Sequence, residues 1–235
     1  MPSIDLTGFN LTTSEVGSDG NAKTYWPGEF TDNEYFKVLD TGEVDLWAPT
    51  KGDATTPNSD RSRTEFREII PGTKTLKNWQ LGEHPAQYLR VAMTMRQTNS
   101  NGRVCIGQIH IKDISRPVLK IIADASKDPE RKVFSVQAKI RQNCNQSDDP
   151  GFVLLESVPL DERISYSVAV SGGGVISINF AHGTRRGECR FNLLPSYVGR
   201  LLYFKAGLYV QEDATELTLP TEGARARLHS LVVER

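Results

Sequence analysis

Side-chain character alternates along most of the chain with a period of two residues, and helical spacing is hardly sustained anywhere. Successive side chains of a strand point to opposite faces, so this alternation describes strands with one face turned to a core. Segments rich in β-branched and aromatic residues are separated by clusters of Gly, Pro, Asn and Asp, which favour turns. Strands are expected near Tyr35–Leu39, Val44–Ala48, Arg63–Ile70, Tyr88–Gln97, Arg103–Lys112, Val118–Ala123 and Lys132–Arg141. They continue near Phe152–Ser157, Ile164–Ser171, Val175–Ala181, Glu188–Leu193, Leu201–Gln211 and Ala224–Glu234, with one helical turn at most over Leu193–Val198. So many short strands without intervening helices predict an all-β fold, an antiparallel sandwich or jelly roll.

The 235 residues suit one large β domain spanning 1–235, and no repeat or linker divides them. Charge is nearly balanced, with 28 Lys and Arg against 29 Asp and Glu, whereas a nucleic-acid-binding protein usually carries a basic excess. No stretch approaches the ~18 apolar residues that cross a bilayer, and no signal-peptide pattern opens the chain. Cys105, Cys144 and Cys189 show no metal-ligand spacing and allow at most one disulfide, whose pairing stays open. Ser171–Gly174 lies between two strand patterns and lacks a following Lys-Ser/Thr, so it reads as a hairpin turn and not a phosphate loop. Three longer polar stretches, Pro49–Ser62, Asn143–Gly151 and His182–Gly187, are candidate cleft walls or plain solvated connections.

Three strands carry an unusual polar face. Alternation puts Arg63, Glu65 and Arg67 on one side, with Phe66 opposite. It groups Gln108, His110 and Lys112 against an apolar face of Cys105, Gly107, Ile109 and Ile111. It groups Tyr203, Lys205, Gly207, Tyr209 and Gln211 against Phe204, Ala206, Leu208 and Val210. Solvent-facing strands favour Thr, Lys and Glu over this mixture of Tyr, His, Gln and Arg. The polar faces therefore make either a shared ligand groove or a solvated surface, and Arg63–Glu65–Arg67 alone would read as a cross-strand ion network.

The segments Arg63-Thr64-Glu65-Phe66-Arg67, Gln108-Ile109-His110 and Tyr203–Gln211 resemble, in order, the three signature segments of polysaccharide lyase family 7, the alginate lyases. The likeness spans Arg63 to Gln211 and departs from the family pattern at Phe66, where a smaller aliphatic residue is commoner. It implies a concanavalin-like β-jelly roll with a concave substrate cleft, and β-elimination on an acidic uronate polysaccharide. It also implies that Arg63, Gln108 and His110 face the uronate carboxylate and that Tyr209 serves the leaving oxygen. Each residue type suits its task. Arg63 offers a planar cationic fork, Gln108 an amide donor, and neutral His110 one donor and one acceptor. A free Tyr titrates near ~10, and the neighbouring cations Lys205 and Arg63 are expected to lower Tyr209. Glu65 is expected to orient Arg63 or Arg67. Arg67, Lys205, Tyr203 and Gln211 complete the expected substrate-binding set.

Other chemistries lack their residues. A glycoside hydrolase needs two carboxyls about 5 to 9.5 Å apart, and Glu65 stands among arginines without a second carboxylate. No Gly-x-Ser-x-Gly elbow or zinc-ligand spacing occurs, and no cofactor or metal is expected. His84, His182 and His229 are taken as structural, Trp79 as core, and Asn78 as a residue bordering the cleft. Two alternatives remain at this point: a lyase acting on another polyuronate such as glucuronan, and a non-catalytic polyuronate-binding module. Family 7 members with Ile between the Gln and His of the second segment tend toward guluronate-containing blocks, so Ile109 leans the expectation that way. A polymeric substrate outside the cytoplasm implies a secreted or periplasmic protein, and a monomer is expected, with neither a nucleic-acid nor a membrane partner.

Overall fold

The computed structural model describes residues 4–57, 59–146 and 151–235. In chain order its strands are β1 (Phe9–Val16), β2 (Ala22–Tyr25), β3 (Phe36–Val38), β4 (Val44–Pro49), β5 (Arg63–Glu68), β6 (Ala86–Gln97) and β7 (Arg103–Ile111). They continue as β8 (Leu119–Asp124), β9 (Val133–Ile140), β10 (Phe152–Pro159), β11 (Arg163–Ser171), β12 (Val175–His182), β13 (Arg185–Asn192), β14 (Leu202–Val210) and β15 (Gly223–Glu234). A 3₁₀ turn, Pro195–Tyr197, falls inside the segment expected to turn. The strands form two antiparallel sheets, ordered β10-β9-β8-β7-β14-β5-β1-β2 and β13-β12-β11-β6-β15-β4-β3. This is an all-β jelly-roll sandwich, as the alternation and the resemblance imply.

The core lies between the sheets. Leu11, Phe66, Ile109, Ile111, Phe204 and Leu208 enter it from the eight-stranded sheet, and Leu89, Met93, Val168, Ile178 and Leu228 from the other. Burying each large apolar side chain contributes roughly 1.5–3 kcal/mol, which makes this alternation the main determinant of strand register. The outward residues of the eight-stranded sheet are then fixed in rows across the strands, because paired residues share a face.

Two strands, β1 and β2, escape the sequence reading. Only Phe9 and Leu11 mark the apolar face of β1, while Thr13 and Ser14 are buried polar residues that blur its periodicity. Ser14 accepts from the Arg63 amide at 3.0 Å and bonds Ser62 Oγ at 2.5 Å, stitching β1 to the start of β5.

The expected face of β7 also needs correction at Cys105. Register shifts between Cys105 and Gly107, so Val104, Ile106, Gly107 and Ile109 all lie on the core side of the sequence phase change. Cys105 instead pairs with Tyr209 and shares its outer face, although it is fully buried there. Tyr166 from the opposite sheet donates to the Ile106 carbonyl at 2.6 Å, satisfying the bulged backbone. Gly107 is required beside it: a Cβ there would stand 2.5 Å from the Tyr166 oxygen. All three cysteines are free thiols.

Candidate active site

Strands β5, β14 and β7 are neighbours, so the three polar faces meet. The register sets Tyr209 beside Arg63, Lys205 beside both Arg67 and Gln108, and Tyr203 beside His110. A groove of about 630 Å³ runs over them, lined by Arg63, Arg67, Gln108, His110, Tyr203, Lys205 and Tyr209. Asn10, Thr12, Thr24 and Trp26 extend its lining over β1 and β2.

Glu65 organises this set from beneath. It is only 1% exposed and accepts from Lys205 Nζ, Gln108 Nε2 and, at 3.4 Å, Arg63 NH1. Burial, the largest influence, pushes its pKa up. The charges of Lys205 and Arg63 and the hydrogen bonds from Lys205 and Gln108 outweigh that, holding the carboxyl below its ordinary range. Glu65 was grouped from sequence with the substrate-binding side chains. Its geometry is that of a positioning residue for three of them, and its ion pair goes to Arg63 and Lys205, not Arg67. Gly207 makes the close approach possible: at φ 139° it lies opposite Glu65, and a Cβ there would meet Thr64 O at 2.6 Å.

Arg67 is held differently. Its guanidinium lies 3.7 Å from the Tyr203 ring centroid and donates to Asn78 Oδ1 at 2.9 Å, which places Asn78 at the groove border. Arg63 covers the Tyr209 ring at 4.2 Å. The Nε atoms of Arg63 and Arg67 are buried donors with no acceptor among the described residues.

His110 stacks on Tyr203 with ring centroids 5.3 Å apart, and its Nδ1 lies 2.9 Å from the Ile111 carbonyl. A carbonyl accepts only, so Nδ1 carries the proton and Nε2 keeps its lone pair. Burial, followed by repulsion from Lys205, pulls the His110 pKa down to about 4. Burial also brings Lys205 down to about 8, with Arg63 and Arg67 acting in the same sense and Glu65 opposing. At neutral pH the groove therefore holds a neutral imidazole beside a charged ammonium. The Tyr209 hydroxyl lies 3.0 Å from Ser59 Oγ, in the loop that leads into β5.

Other expected residues fall elsewhere. Gln211 lies past the end of β14, outside the groove lining, where it accepts from Lys120 at 3.3 Å. Trp79 is fully buried and donates to Glu68 Oε1 at 2.7 Å, in keeping with a core role. The Pro49–Ser62 stretch contributes Thr56 and Ser59 to the groove. His182–Gly187 does not: it forms the β12–β13 turn in the opposite sheet. Of Asn143–Gly151, residues 147–150 lie outside the described residues, and 143–146 do not line the groove. Asp113, Ile114, Ser115 and Pro117 also line the groove, from a short connection whose composition carries no distinguishing signal. His182 and His229 have acidic partners, Glu162 and Glu43, away from the groove. No group of three His, Cys, Asp or Glu able to hold a metal ion occurs among the described residues.

A family model described as alginate lyase matches residues 4–235. An alginate lyase from Pseudomonas aeruginosa is 26% identical, with a TM-score of 0.85 over 98% of this chain and 99% of its own. An alginate lyase from Klebsiella pneumoniae shares the fold at 19% identity and a TM-score of 0.85, covering 99% of this chain and 97% of that one. A family 7 alginate lyase in complex with product (GGG) shares it at 22% identity and a TM-score of 0.79, covering 99% and 96%. No curated protein sequence matches.

The His110 environment makes a direct prediction. Nitrogen-detected NMR of the free protein should show the neutral Nδ1–H tautomer at pH 7, with protonation centred near about 4. A midpoint near the ordinary ~6.5 of a solvated imidazole would contradict the burial argument.

Proposed function

This chain belongs to the alginate lyase family, and on that premise we propose that its groove cleaves alginate by β-elimination, with a lean toward guluronate-containing blocks. The reaction removes the C5 proton of a uronate, breaks the C4–oxygen bond and forms a C4–C5 double bond. The expelled glycosidic oxygen takes up a proton. Charge builds on the carboxylate as C5 loses its proton, so fixed donors around that carboxylate stabilise the transition state more than the ground state.

The observation that carries the reading is the convergence of Arg63, Gln108, His110, Lys205 and Tyr209 on one groove face, with Glu65 beneath. In this assignment Arg63 and Gln108 bind the reacting carboxylate. Gln108 has a second amide proton beyond the one given to Glu65. Lys205 and Arg67 supply positive charge alongside. With Arg63, Lys205 and Gln108 providing this neutralisation, the chemistry calls for no metal. His110 Nε2 takes the C5 proton, and Tyr209, aligned by Ser59, protonates the leaving oxygen. Its low pKa in the free protein makes His110 a weak base. A bound carboxylate raises it by stabilising the imidazolium, so the base strengthens as substrate arrives.

Guluronate and mannuronate differ at C5, so their protons leave from opposite faces of the ring. His110 and Tyr209 divide the two proton transfers for guluronate, whereas Tyr209 performs both for mannuronate. Ile109 supports the guluronate lean indirectly: it is fully buried on the core side of β7, between Gln108 and His110, where side-chain size sets their height. The whole chain is taken to work as one catalytic domain and as a monomer, in a secreted or periplasmic setting where the polymer is found.

Tyr209→Phe tests the proton donor. It should retain the fold and polymer affinity while reducing kcat by about 10²–10⁴, the usual contribution of a positioned acid or base. Near wild-type turnover would remove Tyr209 from this role. Initial rates on purified block polymers, followed by ultraviolet absorbance of the unsaturated product at matched uronate and salt, test the preference. Guluronate or mixed blocks should be cut faster, and faster cleavage of pure mannuronate would overturn the assignment.

A further inference from the structure

The register that gathers the reaction centre continues beyond it. Arg67 aligns with Lys205, Lys205 with Gln108, Gln108 with Lys120, and Lys120 with Lys139. Paired residues share a face, so these side chains form a single row across β5, β14, β7, β8 and β9. Beyond Gln108 the row crosses a second depression of about 250 Å³, lined by Arg61, Arg103, Lys120, Lys139 and Arg141 among others. It shares Lys120 with the main groove. Arg61 is paired with Asp213 and Arg103 with Asp124, both within this region. Lys120 donates to the neutral Gln211 at 3.3 Å, and neither Lys120 nor Lys139 has a carboxylate partner among the described residues. The opposite flank is chemically different: over β1 and β2 the groove is lined by Asn10, Thr12, Thr24 and Trp26, all uncharged.

We propose that Lys120 and Lys139 form an outer anion subsite that binds carboxylates of the same polyuronate chain, beyond the reacting sugar on the β8–β9 side. The proposal rests on the lyase reading given above. Neighbouring strands stand roughly 4.8 Å apart, so the two ammonium groups are rooted one and two such steps past Gln108. Each step is close to the advance of one sugar in an extended 1,4-linked chain, and each uronate carries one carboxylate. A polymer lying across the strands therefore meets one cation-bearing strand per sugar on this flank. On the other flank it meets amide, hydroxyl and indole groups. Binding is consequently lopsided: an oligomer gains affinity by extending over β8 and β9, and this fixes where along its length the cut falls.

The test compares wild type with the Lys120→Gln/Lys139→Gln double variant on end-labelled oligo-uronates of increasing length. Two partly exposed ion pairs lost should lower kcat/KM on long oligomers and polymer by about fivefold to tenfold, mostly through KM. The shortest cleavable oligomer should be almost unaffected. The cut in longer oligomers should spread to additional positions, and the salt dependence of KM should flatten. An equal loss at every length would overturn the proposal by showing damage to the reaction centre, as would no loss at any length with an unchanged cut position. Affinity for intact polymer, measured in the Tyr209→Phe background with and without the two lysine changes, separates the two readings. Equal affinity overturns the subsite. Failure of the wild type to release unsaturated product from any polyuronate overturns the lyase reading instead.

Discussion

A single buried carboxylate holds the groove together. Glu65 is removed from water and is met by Lys205, Gln108 and Arg63, each from a different position on the three central strands. Deleting one partner of a buried charge cluster typically costs about 3–5 kcal/mol, because the remaining charges stay buried without compensation. Such a cluster is poor as a source of stability and effective as a jig. It forces long, flexible cationic side chains into one arrangement before an anionic substrate arrives, which lowers the ordering cost of binding and of reaching the transition state. Gly207 belongs to the same device, since only a glycine lets β14 pass so closely over Glu65.

The same arrangement sets the electrostatics. Burial would discharge Lys205, and Glu65 is the main group opposing this. The retained charge on Lys205 in turn helps keep His110 neutral, with its lone pair on Nε2. A charged ammonium and a neutral imidazole thus coexist in one groove at neutral pH, because burial and neighbouring charge act on both. The second layer of order comes from strand pairing, which extends the cation row past the reaction centre on one flank and leaves the other flank uncharged.

Much of this was legible in the sequence for a physical reason. Where a strand has one apolar and one polar face, alternation reports both its existence and its orientation, as with β14 and β5. Legibility fails where that contrast fails. Thr13 and Ser14 are polar yet buried, so β1 looks like a loop. A bulge near Ile106 shifts the phase of β7, so Cys105 was assigned to the core although it lies on the outer face beneath Tyr209. The roles of Glu65 and Gln211 depend on cross-strand partners 43 and 91 residues away, which no local pattern encodes. Loop walls were less readable: of the polar stretches, Pro49–Ser62 does reach the groove and His182–Gly187 lies in the other sheet, while Asp113–Pro117 lines the groove without any compositional signal.

If Glu65 is the jig, replacing its charge while keeping its shape should disturb titration and chemistry together. Glu65→Gln, checked for native structure by circular dichroism, should therefore be followed through its pH profile of kcat/KM on alginate oligomers. Wild type should lose activity as pH rises through about 8, where Lys205 gives up its proton. In the variant the carboxylate that supports that charge is gone, so the alkaline limb should move to lower pH and kcat should fall at every pH. A folded Glu65→Gln enzyme with an unshifted alkaline limb and wild-type kcat would contradict the account.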